Sequence, residues 1–422
     1  DRADGPTTGP IAGSNPAFGT KKSDTLQVLV EISFVVLQLR DRNLLGLSIF
    51  HAVNDGSLAV FLASLPVMRV ALDLSLIQIG SILSAGLLVT VVMQMIFGYV
   101  SDMGHAHTLL VAGLASLVVT DLAFVAAGNY VHVLLFYILL RAAVGVYHPV
   151  SFSTIVQTAK NRHSAMGFQS AFGDGSLAFA MFSTGFVAES FGWQFPFLAW
   201  GLAAFFAFFV FVLLVGYRGK FANAEVPTGE LAAGERAGGA TRHYVILQFS
   251  SVFLQCLYAT FTGFVPLFVN IQLKLSPGLS SLIVALWLAI GVTSSFNAGS
   301  FVRFFRDEER TLKICFGSVT FLMVSAAVLL LRPEYWYAGL MLLVLSGIPY
   351  FVTFPVMYGM VGTKAPPKRL GLAYATNLSL SLIAGSAVSY GAAYFASIFG
   401  LLVIFPILIA AAAGASVTAL LL

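Results

Sequence analysis

Six side chains able to carry charge interrupt runs that are otherwise apolar: His51, Asp55, Asp121, Arg141, His148 and Asp174. Their chemistry is proton exchange and ion pairing. On a helix, His51 and Asp55 stand four residues apart and share a face, and Arg141 and His148, seven apart, do the same. A carboxyl whose surroundings change between two states holds a proton in one and sheds it in the other. A guanidinium in the same chamber binds anions or pairs with that carboxylate. Charges within a bilayer are expensive and usually mark an ion or substrate path, so these few residues carry most of the functional information.

The elements that must position them are membrane helices. Hydrophobic residues make up 58% of the chain and charged residues 9%, against roughly 25% charged in a soluble domain. Twelve apolar stretches, each about the twenty residues needed to cross a bilayer core, run from Leu44 to Leu422. Their expected bounds are 44–68, 76–100, 108–128, 131–158, 164–188, 193–216, 244–271, 278–302, 311–331, 335–361, 370–396 and 399–421. Only helices or a closed barrel satisfy every backbone amide in lipid. Gly201–Val215 and Leu401–Ala413 lack the period-two alternation of barrel strands, so the expectation is an all-α polytopic protein.

One long polar break, Tyr217–His243, divides the array into six spans plus six. The expected organisation is therefore a tail and short interfacial helix over 1–43, a first half over 44–216, a linker over 217–243 and a second half over 244–422. Residues 1–23 read as a disordered tail, and Leu26–Leu39, about fourteen residues long and interrupted by Glu31, reads as lying along the inner interface. Of the 22 Lys and Arg, Arg69, Lys274 and Arg332 fall on one side, Arg141 falls inside a span, and all the rest fall on the linker side. The positive-inside rule thus places both termini and the linker in the cytoplasm, in a multi-pass protein of the inner membrane. The same asymmetry accounts for the net charge of +4 without a nucleic-acid partner. Cys256 and Cys315 both sit inside spans and suggest no disulfide framework.

The halves superimpose at several landmarks. Gly98-Tyr-Val-Ser-Asp102 matches Gly299-Ser-Phe-Val-Arg303, Leu65-Pro66 matches Val265-Pro266, Gly145 parallels Gly347, and Phe195-Pro196 parallels Phe405-Pro406. All six ionisable groups nevertheless lie in the first half. At the corresponding positions the second half has Ser251 for His51, Gln255 for Asp55, Leu343 for Arg141 and Leu378 for Asp174. It supplies neutral polar and aromatic groups instead: Gln255, Tyr258, Trp287, Asn297, Tyr350, Tyr358, Tyr374 and Asn377. Gln255, Tyr258 and Asn377 are the preferred substrate contacts among them, because polar groups at span centres need partners.

These landmarks resemble the major facilitator superfamily. The Gly98-x-x-x-Asp102 loop is similar to that family's signature loop between its second and third spans, and Arg141-x-x-x-Gly145 is similar to its fourth-span motif. The loop departs from the pattern in carrying His105 and His107 where a basic pair is usual. Within the superfamily, His51-Ala-Val-Asn-Asp55-Gly56 running on to Leu65-Pro66, Tyr147-His148-Pro149 and the Gly167–Gly175 stretch resemble the fosmidomycin-resistance branch of efflux permeases. The resemblance implies twelve helices in two pseudo-symmetric six-helix halves, with the substrate site between them near the midplane.

The function expected is proton-coupled secondary transport, efflux by antiport, of a small anionic or amphipathic organic compound, by a single chain working as a monomer. Asp55, His51, Arg141 and Asp174 are the expected proton-coupling groups. Arg141, His148, Gln255, Tyr258 and Asn377 are the expected substrate contacts, and Gly98 and Asp102 shape the conformational loop. Spans one and four line the same cavity in that fold, so Asp55 and Arg141 are expected to form an ion pair, either a coupling switch or a purely structural tie. Asp121, late in the third span, reads as solvated near the outer face. Import by symport and a non-transporting sensor or accessory subunit are the alternatives.

Enzymatic readings find little support. His-x-x-x-Asp is the arrangement of acyltransferase bases, but its setting is apolar and no large soluble catalytic domain accompanies it. No Gly-x-x-x-x-Gly-Lys loop cradles a nucleotide. No Cys/His cluster has zinc spacing, and His105-Ala-His107 alone does not make a site, so neither metal nor cofactor is expected.

Overall fold

A computed structural model describes residues 41–158, 162–216, 237–364 and 370–422. The described chain is helical throughout, and the expected spans appear in order. Spans one to three are Arg42–Ala71, Leu76–Val100 and Ala106–Phe124. Span four is two helices, Tyr130–Val144 and Tyr147–Thr158. Spans five to seven are Arg162–Phe191, Gln194–Val215 and Ala237–Ile271. Span eight is Pro277–Phe296, continued by Ala298–Phe305, and span nine is Glu308–Leu330. Span ten is again two helices, Trp336–Leu345 and Gly347–Lys364, followed by spans eleven, Leu370–Phe399, and twelve, Ile404–Leu420. Among the described residues eleven spans are long and apolar enough to cross a membrane. Span five is the exception: a continuous helix whose Gly, Ser and Asp174 content makes it less apolar. The expected tail, the interfacial segment Leu26–Leu39 and most of the linker lie outside the described residues.

Local sequence fixes the helix ends. Asp41 accepts hydrogen bonds from the amides of Asn43 and Leu44, Ser75 and Gln78 form a reciprocal capping box, and Ser276 precedes Pro277 as the cap of span eight. Gly216 and Gly400 take positive φ, 86° and 81°, where spans six and eleven stop.

Packing repeats pair for pair. Span one lies against spans five and six, and span seven against eleven and twelve; three packs on four and six, and nine on ten and twelve. Spans one and seven each carry an internal proline, Pro66 and Pro266. Spans four and ten each break after a first helix, at Gly145–Val146 and at Ser346. Each is also tied to the first span of its half by a tyrosine: the Tyr147 hydroxyl donates to the Leu47 carbonyl at 2.7 Å, and that of Tyr350 to the Leu254 carbonyl at 3.0 Å. The halves meet through span two on span eleven and span five on span eight.

Those meeting points lie at the end away from the linker. The Gly278 amide, at the N-terminus of span eight, donates to Glu189 near the end of span five at 3.0 Å. A Cβ at Gly185 would stand 2.9 Å from the Pro277 carbonyl oxygen and inside the Ser281 side chain. A Cβ at Gly80 would stand 3.0 Å from the Ser389 carbonyl oxygen. Ser84 and Ser386 share a 2.8 Å hydroxyl contact between them. Small residues let the backbones approach closely, and they do so here at one end of the molecule.

One expectation is corrected. Asp121 is not solvated: it is fully buried, turned inward toward span one and packed beside Gly201 of span six. The Ser57 hydroxyl stands 2.7 Å from its Oδ2 and 2.8 Å from the Val53 carbonyl, while Oδ1 has no partner. One hydroxyl hydrogen cannot serve two acceptors. Asp121→Asn supplies an amide hydrogen to Ser57 and frees the hydroxyl for Val53. The variant is expected to keep or raise stability, by up to about 1 kcal/mol, as thermal unfolding in detergent would show.

Candidate functional site

The site grows from one turn of span one. His51 and Asp55 project from the same face, with His51 Nε2 3.2 Å from Asp55 Oδ2. From span four, His148 Nε2 stands 3.5 Å from Asp55 Oδ1, which also accepts from the Asn54 side-chain amide at 2.9 Å. The carboxylate is thus clamped between two imidazoles.

His51 is held from three sides. Its Nδ1 lies 2.9 Å from the Gln169 carbonyl oxygen of span five. A carbonyl only accepts, so Nδ1 carries the hydrogen. Tyr147 stacks on the ring with centroids 4.8 Å apart. On span five Gly173 approaches so closely that a Cβ there would stand 2.5 Å from Nε2. Part of the Gly167–Gly175 run is therefore explained by a histidine ring lying against the backbone. Gly56, one residue beyond Asp55, does the same for Trp200, whose indole N–H donates to the Val53 carbonyl at 3.1 Å. The sequence reading missed Gln169, Tyr147 and Trp200 as supports; a glutamine inside a span was the available signal for the first.

The expected Asp55–Arg141 ion pair is absent. Arg141 ends the first helix of span four, and among the described residues its guanidinium has neither an ion pair nor a hydrogen bond. Its nearest aromatic neighbour is Tyr137, with the guanidinium carbon 6.0 Å from the ring centroid. The break at Gly145 explains the separation, since it turns His148 toward Asp55 on a helix distinct from the one carrying Arg141.

Asp174 is exposed on the surface of span five and within electrostatic reach of Asp55 and His51. Across the interface, half-buried Tyr258 is within electrostatic reach of Asp55, Asp174 and Arg141 together. Electrostatic reach thus links three charged groups of the first half, Asp55, Asp174 and Arg141, to a hydroxyl of the second. Gln255, also half-buried, packs on Gly385 with its Cγ 3.0 Å from where a Cβ would stand.

Other second-half expectations resolve into packing. Trp287 and Tyr350 are fully buried, their ring centroids 4.9 Å apart. Asn377 is also fully buried and donates to Ser251 at 2.7 Å. It thus ties span eleven to the counterpart of His51. Asn297 donates to the Thr293 carbonyl at 2.8 Å, at the junction of the two helices of span eight. Gly98 lies against Pro149 of span four, and His107 is 2.6 Å from the Gly216 carbonyl at the end of span six. The side chains of Asp102 and Tyr374 lie outside the described residues. Cys256 and Cys315 are free thiols.

Residues 47–388 match the family described as Major Facilitator Superfamily. No curated protein matches the sequence. Among solved structures the chain is similar to a D-xylose-proton symporter, at 15% identity and TM-score 0.73, over 90% of this chain and 96% of that one. It is similar to a bacterial homolog of the human lysosomal transporter Spinster in an inward-facing, occupied conformation, at 15% identity and TM-score 0.68, covering 89% and 93%. It is also similar to a peptide transporter, POT, in complex with sulfate, at 12% identity and TM-score 0.70, covering 90% and 93%. At these identities the likeness is one of fold.

Proposed function

Because this chain belongs to the major facilitator superfamily, we propose that it is a secondary active transporter that exchanges protons for a small organic anion or anionic amphiphile by alternating access. The observation that carries the reading is Asp55 held between His51 and His148, with Arg141 of the same span four left without an ion pair among the described residues. A proton added to the Asp55 cluster changes the charge of the wall that faces the second half. A guanidinium with no carboxylate of its own attracts an anion to the same chamber. Asp174 extends the acid cluster and His148 completes that wall, while Gln255 and Tyr258 stand on the facing one. Neutralising one wall alters the attraction between the halves, which is how a local protonation biases a two-state rigid-body motion.

The efflux direction follows the resemblance of His51–Gly56, Tyr147–Pro149 and Gly167–Gly175 to the fosmidomycin-resistance branch. The Lys and Arg distribution supports an inner-membrane protein with termini and linker in the cytoplasm. In that orientation the contacts of Gly80, Gly185 and Glu189 lie at the outer end of the halves, which supports access to the site from the cytoplasm.

Liposomes loaded with a pH-sensitive dye test the proposal. A thermal-shift screen of carboxylates, phosphonates, sugars and amphiphilic drugs comes first, since a ligand of the folded state raises apparent stability. The hit is then applied as a gradient, and its movement should drive proton flux of opposite direction. Transport with no accompanying proton flux would remove the coupling. Arg141→Gln should raise KM for an anionic substrate about tenfold or more, the loss of a charge-assisted contact worth roughly 1.5–3 kcal/mol. An unchanged KM would remove Arg141 from the substrate site.

A further inference from the structure

We propose that His51, Asp55 and His148 form a binding site for one divalent transition-metal cation of the zinc or cobalt type. The inference deepens the proposed function, since the atoms involved are those of its coupling cluster.

Three observations carry it. His51 Nε2, His148 Nε2 and an Asp55 carboxylate oxygen all lie within 4.8 Å of one another. Two imidazoles and a carboxylate are a donor set suited to borderline divalent metals. With metal–ligand bonds of about 2.0–2.1 Å, neighbouring ligand atoms of a tetrahedral site are about 3.3 Å apart. His51 Nε2 is 3.2 Å from Asp55 Oδ2 and His148 Nε2 is 3.5 Å from Oδ1, so each imidazole already stands near that spacing from one of the two carboxylate oxygens.

The second observation is an orphan. The His51 side chain is 5% exposed, yet its Nε2 has no hydrogen bond. Close to Asp55 Oδ2 though it is, it does not have the direction of a donor toward that oxygen. Its other nitrogen is committed to the Gln169 carbonyl, the outer-shell contact that metal-ligating histidines use to fix the tautomer and turn a lone pair toward the ion. A bare nitrogen facing a carboxylate is relieved by a cation between them, a proton or a metal ion.

The third is rigidity with one open side. Gly173 and Tyr147 pin the His51 ring, and Asn54 steadies Asp55 Oδ1. His148, by contrast, is 27% exposed. That leaves a fourth position to water or to an oxygen of the anionic substrate, which Arg141 would attract to the same chamber. The sequence spacing could not reveal the site, because its third ligand is 93 residues beyond Asp55 on another span.

The test uses Co2+ as the probe on tag-free, full-length protein in detergent, with no substrate and no pH gradient. One equivalent should bind, give the intense visible bands of a four-coordinate site, and be displaced by Zn2+. His148→Gln should weaken binding at least tenfold, and Asp55→Asn is the second variant if the first fails to fold. His105→Gln with His107→Gln should leave binding unchanged. Absence of bound Co2+, equal affinity in both ligand variants, or loss of binding in the His105/His107 variant would overturn the site. Because the readout is spectroscopic on resting protein, a failure of proton-driven transport leaves this result standing, and the reverse also holds.

Discussion

Asp55→Asn is expected to abolish transport driven by a pH gradient while leaving substrate counterflow between equal pH compartments. The amide has the size of the acid and keeps Oδ1, so the 2.9 Å hydrogen bond from Asn54 survives. Its nitrogen takes the place of Oδ2, 3.2 Å from His51 Nε2, and removes the negative charge that faced that nitrogen. The cluster is then fixed in one charge state. A carrier so fixed still moves its halves around bound solute, but has lost the group whose proton ties that motion to the gradient. Gradient-driven flux should drop to the level of empty liposomes, and the melting temperature should stay within about 2–4 °C of the parent, the shift expected for roughly 1 kcal/mol. Full gradient-driven activity in the variant would take Asp55 out of the mechanism.

The second large effect concerns closure. Gly185→Val should push the molecule away from the state with its far end shut. Its new side chain falls on Ser281 and on the Pro277 carbonyl, at the start of a helix in the other half. Backbone there cannot step aside as a flexible side chain can, so the strain is relieved by separating spans five and eight. Overpacking costs about 1–3 kcal/mol, and each 1.4 kcal/mol is tenfold in a population. A shift of roughly tenfold or more toward the opposite-facing state follows. Spin labels at the outer ends of spans five and eight should report a longer distance, and net transport should fall because the return step is impeded. An unchanged distance distribution would show that the far-end contact does not hold the closed state. Gly80→Val, against Ser389 on span eleven, should act in the same direction.

Much of this architecture was legible in the residues because lipid leaves few options. Stretches of about twenty apolar residues must be helices, and Pro66 with Pro266 and Gly145 with Gly347 mark the internal repeat in the sequence itself. The span bounds agree within a few residues except where a helix simply continues, as span seven does back to Ala237. The pairing of His51 with Asp55 was also legible, since four residues on a helix fix a common face.

The rest needed the third dimension. Asp121 and Asp174 look alike in sequence, yet one is sealed against Ser57 and Gly201 and the other is exposed. Arg141 and His148 share a helical face only if span four is unbroken, and the break at Gly145–Val146 sends the histidine to Asp55. Asn377, read from the sequence as a substrate contact, is buried and donates to Ser251 on span seven.

Sequence by itself determined that this protein crosses a membrane in two like halves and places the acids and the arginine of its span interiors in the first. Hydropathy and helical period are local, so each could be read from a single stretch of chain. Only the tertiary structure decided which of those charges meet, which are buried, and at which end the halves touch. Those outcomes depend on contacts between spans about a hundred residues apart, and on glycines whose purpose is visible only in what lies against them.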